Sequence, residues 1–251
     1  MIEHIYEEEI HTHNHLRLGD NLVQLNFLRR LLVENPKTKI THYFSPQLCK
    51  GEEIMPLREG LEERLFIEAT AQPAESLDSW RGQEWYGHPD KLDFAKFHLD
   101  WFKSLSHKMG FLSPIRSRGD LLFDYPALLQ PTPTYDVIVI NSPGLSGQFS
   151  GHNEMMYVEL IKWLQSKGNS VLSTKPTGLC DDSTSKDVSW IGAVSTKAKI
   201  IVGNSTGVSW PCLNIHNQEA LHILCLDSEE VILTKRGKTA RSIGEAIKLL
   251  V

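Results

Sequence analysis

His15-Leu16-Arg17-Leu18-Gly19-Asp20 stands between a short extended segment and the run Asn21-Leu22-Val23-Gln24-Leu25-Asn26-Phe27-Leu28-Arg29-Arg30-Leu31-Leu32. Leu22, Leu25, Leu28, Leu31 and Leu32 recur at three- and four-residue steps, which predicts a helix with one buried stripe, closed by Pro36. A glycine and an acid where a strand passes into a helix put a carboxylate at the mouth of an α/β crevice, where ligands bind. Asp20 is therefore the first candidate for chemistry, although aspartate also serves as an N-cap for a helix starting at Asn21. A second strand-to-helix loop, Val202-Gly203-Asn204-Ser205-Thr206-Gly207-Val208-Ser209, offers hydroxyls and amides that suit an anion. The two loops are expected to face each other across a cleft.

Working outward, Ile10 to His15 alternates three histidines (His11, His13, His15) with other residues, so a strand here carries three imidazoles on one face. Without further ligands nearby, a polar strand end lining a wet cleft is preferred to a metal site. Lys39–Phe44 and Glu63–Thr70 read as the next strands, and Lys91–Met109 as an amphipathic helix stopped by Gly110. Between them, Ala71–Pro89 holds Trp80, Trp85 and Tyr86, which suit either stacking on a sugar or packing on that helix. Prolines at 114, 126, 131 and 133 mark an extended linker, predicting one domain over 1–130 and a second over 131–251. The second half alternates again, with strands at Tyr135–Ile140, Ser170–Thr174, Ala198–Val202 and Leu221–Leu226. Helices fall at Glu154–Ser166, Ser185–Thr196 and Ser242–Val251. Such alternation implies parallel sheets.

Composition narrows the function classes. A net charge of −5 over 251 residues lacks the cationic excess of a nucleic-acid binder. Cys49, Cys180, Cys212 and Cys225 have no CxxC spacing and are read as reduced thiols. The acidic start lacks a signal peptide's basic and apolar regions, and no apolar run is long enough to span a membrane, so a cytoplasmic location is expected.

Three motifs in order, Arg17-Leu18-Gly19-Asp20 with the helix after it, Asn141-Ser142-Pro143-Gly144, and Trp190 to Gly207, resemble the heptosyltransferase family, the ADP-heptose transferases of lipopolysaccharide. The resemblance implies an α/β fold of two facing Rossmann-like domains of GT-B type, shortened here. It also implies inverting, metal-independent transfer of a sugar from a nucleotide-diphosphate donor to a carbohydrate or glycolipid acceptor. No transmembrane segment is needed, and peripheral membrane contact is compatible with this. In the family pattern Asp20 is the general base, and Ser205, Thr206 and Gly207 hold the diphosphate; Arg17, Gly19, Ser142 and Gly144 complete the implied phosphate and nucleotide site. No resident cofactor or metal is implied, and no Asp-x-Asp pair occurs.

Three positions depart from the pattern. Ser205 replaces an acid, Trp210 replaces a histidine, and Leu145–Asn153 contains no lysine or arginine, so Arg17 or protonated His152 is expected to help neutralise phosphate. Two other readings stay open. One is a nucleotide- or sugar-binding module that kept the fold and lost the chemistry. The other is a fucosyltransferase-like enzyme using His15-x-Arg17.

Overall fold

The computed structural model describes residues 8–70, 76–79, 88–90, 92–144 and 148–251. The aromatic stretch around Trp80, Trp85 and Tyr86 and the tip Leu145–Gly147 lie outside them.

Four strands, β1 (Glu8–Asn14), β2 (Thr38–Phe44), β3 (Leu65–Ala69) and β4 (Leu77–Asp78), form a parallel sheet in the order β3-β2-β1-β4. Six more, β5 (Val137–Ile140), β6 (Val171–Ser173), β7 (Asp181–Asp182), β8 (Ile200–Asn204), β9 (Leu221–Cys225) and β10 (Gly237–Ala240), form a second parallel sheet ordered β10-β9-β8-β5-β6-β7. The expected α/β architecture of two parallel sheets is present. The sequence reading missed β4, β7 and β10, whose two to four residues carry too little period to stand out.

Helix α1 (Leu18–Glu34) lies at the centre of the molecule. It begins three residues earlier than Asn21, because the Asn21 side chain folds back and donates to the carbonyls of Leu16 and Arg17 at 3.1 and 3.2 Å. Asp20 thus sits inside the first turn and is not the N-cap; that position is Arg17, which gives no side-chain cap bond. Nor is there only one buried stripe: Asn21 to Arg29 are buried without interruption, polar residues included. The physical reason is that α1 is flanked on both sides. Asn26 donates to the carbonyls of Leu121 and Leu122, Arg30 donates to Leu122, and Arg29 donates to Leu57 and Glu59, so polar groups at buried positions find carbonyl partners. At the far end the Asn35 N–H and side chain both bond the Leu31 carbonyl before Pro36 stops the helix.

The proline-rich stretch is extended yet packed: Leu121, Leu122, Phe123, Tyr125 and Leu128 are buried. Phe123 exchanges backbone bonds with Leu213 and Ile215, stitching this segment to the later half. Helix α3 (Phe94–Lys108; α2 is the short turn Gly51–Ile54) packs on α1 through Phe27 and Phe102, stacked 4.4 Å apart, while its first N–H bonds Glu230. One apolar core therefore runs through both halves.

In the second sheet alternate residues of β5 serve two cores. Ile138 and Ile140 join the shared core; Val137 and Val139 pack with Tyr157, Leu160 and Leu164 of α4 (Glu154–Ser166) on the other face. Helices α5 (Val188–Ser195) and α6 (Ile243–Leu250) complete the chain. Gly203 in β8 has φ +140, and a Cβ there would lie 2.2 Å from the Ile140 carbonyl oxygen, so only glycine lets β8 approach β5 this closely.

Candidate active site

A cavity of about 550 Å³ opens between the two halves, at the ends of β1, β5, β6 and β8 where the strands give way to loops. Arg17, Leu18, Gly19 and Asp20 line it from the first half with Lys50 and Glu53; Ser142, Pro143, Lys175, Thr206 and Gly207 line it from the second. Phe94, His98 and Trp210 also line it. The contact between the walls is close. A Cβ on Gly207 would sit 3.0 Å from Leu18, and one on Gly19 would sit 3.7 Å from the Gly207 Cα.

Asp20 owes its place to a chain of buried hydrogen bonds. His42 of β2 bonds Thr12 of β1 through Nδ1 at 2.9 Å and the Asn21 side-chain oxygen through Nε2 at 3.1 Å. Since Asn21 Oδ1 can only accept, His42 is the neutral Nε2–H tautomer and takes the Thr12 proton on Nδ1. Burial, reinforced by His13 and His15, pushes its pKa down to about 3. Asn14 Oδ1 accepts the Leu16 N–H at 3.0 Å. The buried polar residues Thr12, Asn14 and His42 of β1 and β2 thus fix the loop. Asp20 also stands in the first turn of α1, near the positive end of the helix.

The wall from the second half is tied together as tightly. Thr174 Oγ1 lies 3.0 and 3.1 Å from the N–H groups of Asn141 and Ser142 and 2.9 Å from Ser142 Oγ. Asn141 accepts the Lys175 N–H at 2.8 Å and donates to its carbonyl at 3.2 Å, locking the loops after β5 and β6 to each other. Asn204, fully buried at the end of β8, donates to the Ser142 carbonyl at 2.8 Å, stands 2.9 Å from His152 Nδ1, and accepts the Tyr157 hydroxyl.

Of the residues singled out in the sequence, Arg17, Gly19, Asp20, Ser142, Thr206 and Gly207 line the cavity together. Ser205 and Gly144 lie behind the lining. Ser205 is 1% exposed, and a Cβ on Gly144 would be 3.8 Å from its carbonyl oxygen. The Oγ atoms of Ser205 and Thr206 are buried without a hydrogen-bond partner. His152 is not among the lining residues and is engaged by Asn204. The three histidines also stay outside: His11 stacks on Tyr43, His13 bonds Ser76 at 2.7 Å, and no group of potential metal ligands forms among the described residues.

A helix at the second loop is absent. After Thr206 the chain makes only a 3-10 turn, Gly207–Ser209, because the ring of Pro211 would meet the carbonyl of residue 207 in an α-helix. No helix dipole of useful length points from here into the cavity. Lys50, Glu53, His98 and Lys175 were not singled out in the sequence. Lys175 was the most accessible to reasoning, as a cation just past the carboxyl end of a parallel strand.

Trp210 stacks on Phe94 at 4.7 Å, and its Nε1 would lie 2.7 Å from a Cβ on Gly19. The indole therefore fills the space beside the Asp20 turn, and glycine at position 19 makes room for it.

No family model matches the sequence, and no curated protein sequence matches it. Solved structures do. Escherichia coli heptosyltransferase WaaC with ADP-2-deoxy-2-fluoro heptose aligns with a TM-score of 0.65 at 12% identity, over 96% of this chain and 98% of that one. This is the heptosyltransferase fold. Glycosyl transferase family 9 from Veillonella parvula shares it at a TM-score of 0.59 and 10% identity, covering 98% and 90% of the two chains. E. coli ADP-heptose lps heptosyltransferase II does so at 0.55 and 11%, covering 96% and 97%. The heptosyltransferase fold explains why the loops after β1 and β8, far apart in sequence, end on one cavity.

Proposed function

We propose that the protein is a glycosyltransferase that moves a sugar from a nucleoside-diphosphate donor to an acceptor hydroxyl. The observation that carries this is the convergence, on one cavity, of the Asp20 turn and the Ser142/Thr206/Gly207 wall within a heptosyltransferase fold. Asp20 takes the proton from the acceptor hydroxyl as that oxygen attacks the anomeric carbon, and the donor's bond to the diphosphate breaks on the opposite side, inverting the configuration. The diphosphate leaves against the Thr206–Gly207 backbone and the cations of the cavity, without a metal. ADP-heptose is the first donor to try, because the WaaC structures hold ADP and an ADP-heptose analogue. The acceptor is a carbohydrate or glycolipid, and the protein works in the cytoplasm. Among the described residues no helix is long and apolar enough to cross a membrane.

The binding-module reading has one specific observation in its favour, the indole of Trp210 wedged beside the Asp20 turn. The His15-x-Arg17 reading has less, since His15 does not line the cavity. Donor hydrolysis and transfer by wild type and Asp20→Asn separate them. The transferase reading expects a loss of turnover of about 100-fold or more with nucleotide affinity retained. Nucleotide binding with no turnover in either protein would leave the binding module standing.

A further inference from the structure

The loop after Gly144 brings no lysine or arginine to the cavity, yet the cavity holds cations from elsewhere in the chain. Lys175 lines it together with Ser142, Pro143, Thr206 and Gly207, and Lys50 lines it together with Asp20. Neither lysine makes an ion pair among the described residues. Glu53, an acid of the same lining, has an oxygen committed to the Val188 N–H at 2.9 Å. The Lys175 backbone is fixed on three counts: its N–H and carbonyl are both bonded to Asn141, and the same carbonyl accepts Ser173 Oγ at 2.8 Å. Its side chain therefore starts from a rigid base, and Asp182, the carboxylate within electrostatic reach of it, is engaged by the Thr184 N–H at 3.0 Å.

From this arrangement we infer that Lys175, with Lys50 on the same cavity, is the cationic clamp that selects a diphosphate over a monophosphate ligand. Two cations lining one cavity match a group with negative charge on two linked phosphorus centres. A single phosphate engages one of them. Lys175 carries the larger share because it stands beside the hydroxyl-bearing loops, and each contact is a charge-assisted hydrogen bond. The clamp rests on the transferase reading only for the identity of the molecule that brings the diphosphate.

Titration calorimetry with inorganic pyrophosphate, ADP, AMP and adenosine, on wild type, Lys175→Ala, Lys175→Arg and Lys50→Ala at two salt concentrations, tests it. Lys175→Ala is expected to weaken pyrophosphate and ADP by about tenfold or more and AMP by less, to leave adenosine unchanged, and to flatten the salt dependence. Lys50→Ala is expected to lose a few-fold on the same two ligands, and Lys175→Arg to recover most of the loss. Thermal unfolding serves as the folding control, since both side chains are exposed. The clamp is overturned if Lys175→Ala binds pyrophosphate as wild type does, if AMP and ADP weaken equally, or if wild type binds no pyrophosphate. Pyrophosphate binding that depends on Lys175 in a protein without transfer activity would sink the transferase reading and keep the clamp. Transfer with an indifferent Lys175 would do the reverse.

Discussion

The two sheets are built from the same strand–helix grammar and treat polarity in opposite ways. In the second sheet, Val137–Ile140 and Leu221–Cys225 are buried at every position, as a parallel sheet covered on both faces requires. In the first, β1 alternates, with Thr12 and Asn14 buried and His11 and His13 half-exposed, while β2 leaves Lys39 and Tyr43 half-exposed around the buried Ile40, Thr41 and His42. The buried polar side chains of the first sheet hold the Asp20 loop. In the second, the buried polar side chains that hold the cavity wall, Thr174 and Asn204, sit at strand ends. The comparison teaches that the first sheet gives up apolar burial to position a loop, whereas the second keeps its burial and uses only its edge.

Gly203→Ala attacks the second sheet where it is least forgiving. The new Cβ would meet the Ile140 carbonyl at 2.2 Å from a backbone that L-residues rarely adopt. A loss of about 3 to 5 kcal/mol in urea unfolding is expected, with β5 and β8 losing amide protection together. A loss below about 1 kcal/mol would mean that the β5–β8 contact is looser than described.

The buried histidines set the sheets directly against each other. His42 has both ring nitrogens partnered, whereas His222 in β9 bonds only the Asn217 carbonyl and leaves Nδ1 without a partner. Replacing His42 by leucine strands Thr12 and Asn21 and is expected to cost about 2 to 4 kcal/mol; His222→Leu removes an unsatisfied nitrogen and should fall within about 1 kcal/mol of wild type. Burial lowers both pKa values, to about 3 and about 4, below the unfolded value near 6.5. The unfolded chain therefore binds these protons first as pH falls. The stability contribution is fully present above pH 6.5 and declines by about 1.4 kcal/mol per unit for each histidine, down to about pH 4 for His222 and about pH 3 for His42. Denaturation at pH 7, 6 and 5 in wild type and His42→Leu checks the slope; an unchanged slope in the variant removes His42 from this role.

What could be read in advance follows the same division. Strands β5, β8 and β9 announce themselves as apolar runs, and Glu154–Ser166 coincides with its helix at both ends because Asn153 caps it and its apolar spacing is regular. The start of α1 was misplaced because the turn is set by bonds from Asn21, Asn14 and His42, tertiary partners that no local spacing reveals. The cavity was half legible: Asp20, Thr206 and Gly207 lie on loops with small residues, whereas Lys50, Glu53 and Lys175 arrive from segments without a motif. The alternating histidines look like ligands in one dimension and serve a one-sided sheet in three.

Between the large and small effects lies Gly19→Ala, which tests the contact where the two halves meet. A methyl 2.7 Å from the Trp210 indole must push it towards Phe94, at a cost of about 1 to 3 kcal/mol. The change should be visible as a shift in tryptophan emission and as weaker nucleotide binding. An unaltered spectrum would indicate that the indole yields without disturbing the Asp20 turn.

The smallest expected effect concerns how the walls are held in register. Glu53 belongs to α2 in the first half, but its carboxylate accepts the Val188 N–H at the start of α5, whose own cap, Asp187, accepts the Trp190 N–H at 2.7 Å. Two acids thus share the positive end of one helix, and only Glu53 crosses between halves. Glu53→Gln keeps an acceptor oxygen and removes the charge, so the helix-end attraction is lost while the hydrogen bond can persist; about 0.5 kcal/mol is expected, shrinking in salt. Glu53→Ala removes both and should cost about 1 kcal/mol more. If the contact holds the walls in register, the alanine variant also weakens nucleotide binding at unchanged α5 stability, measured by hydrogen exchange on Ile191 to Val194. Equal losses for the two variants would reduce the contact to simple electrostatics at a helix end.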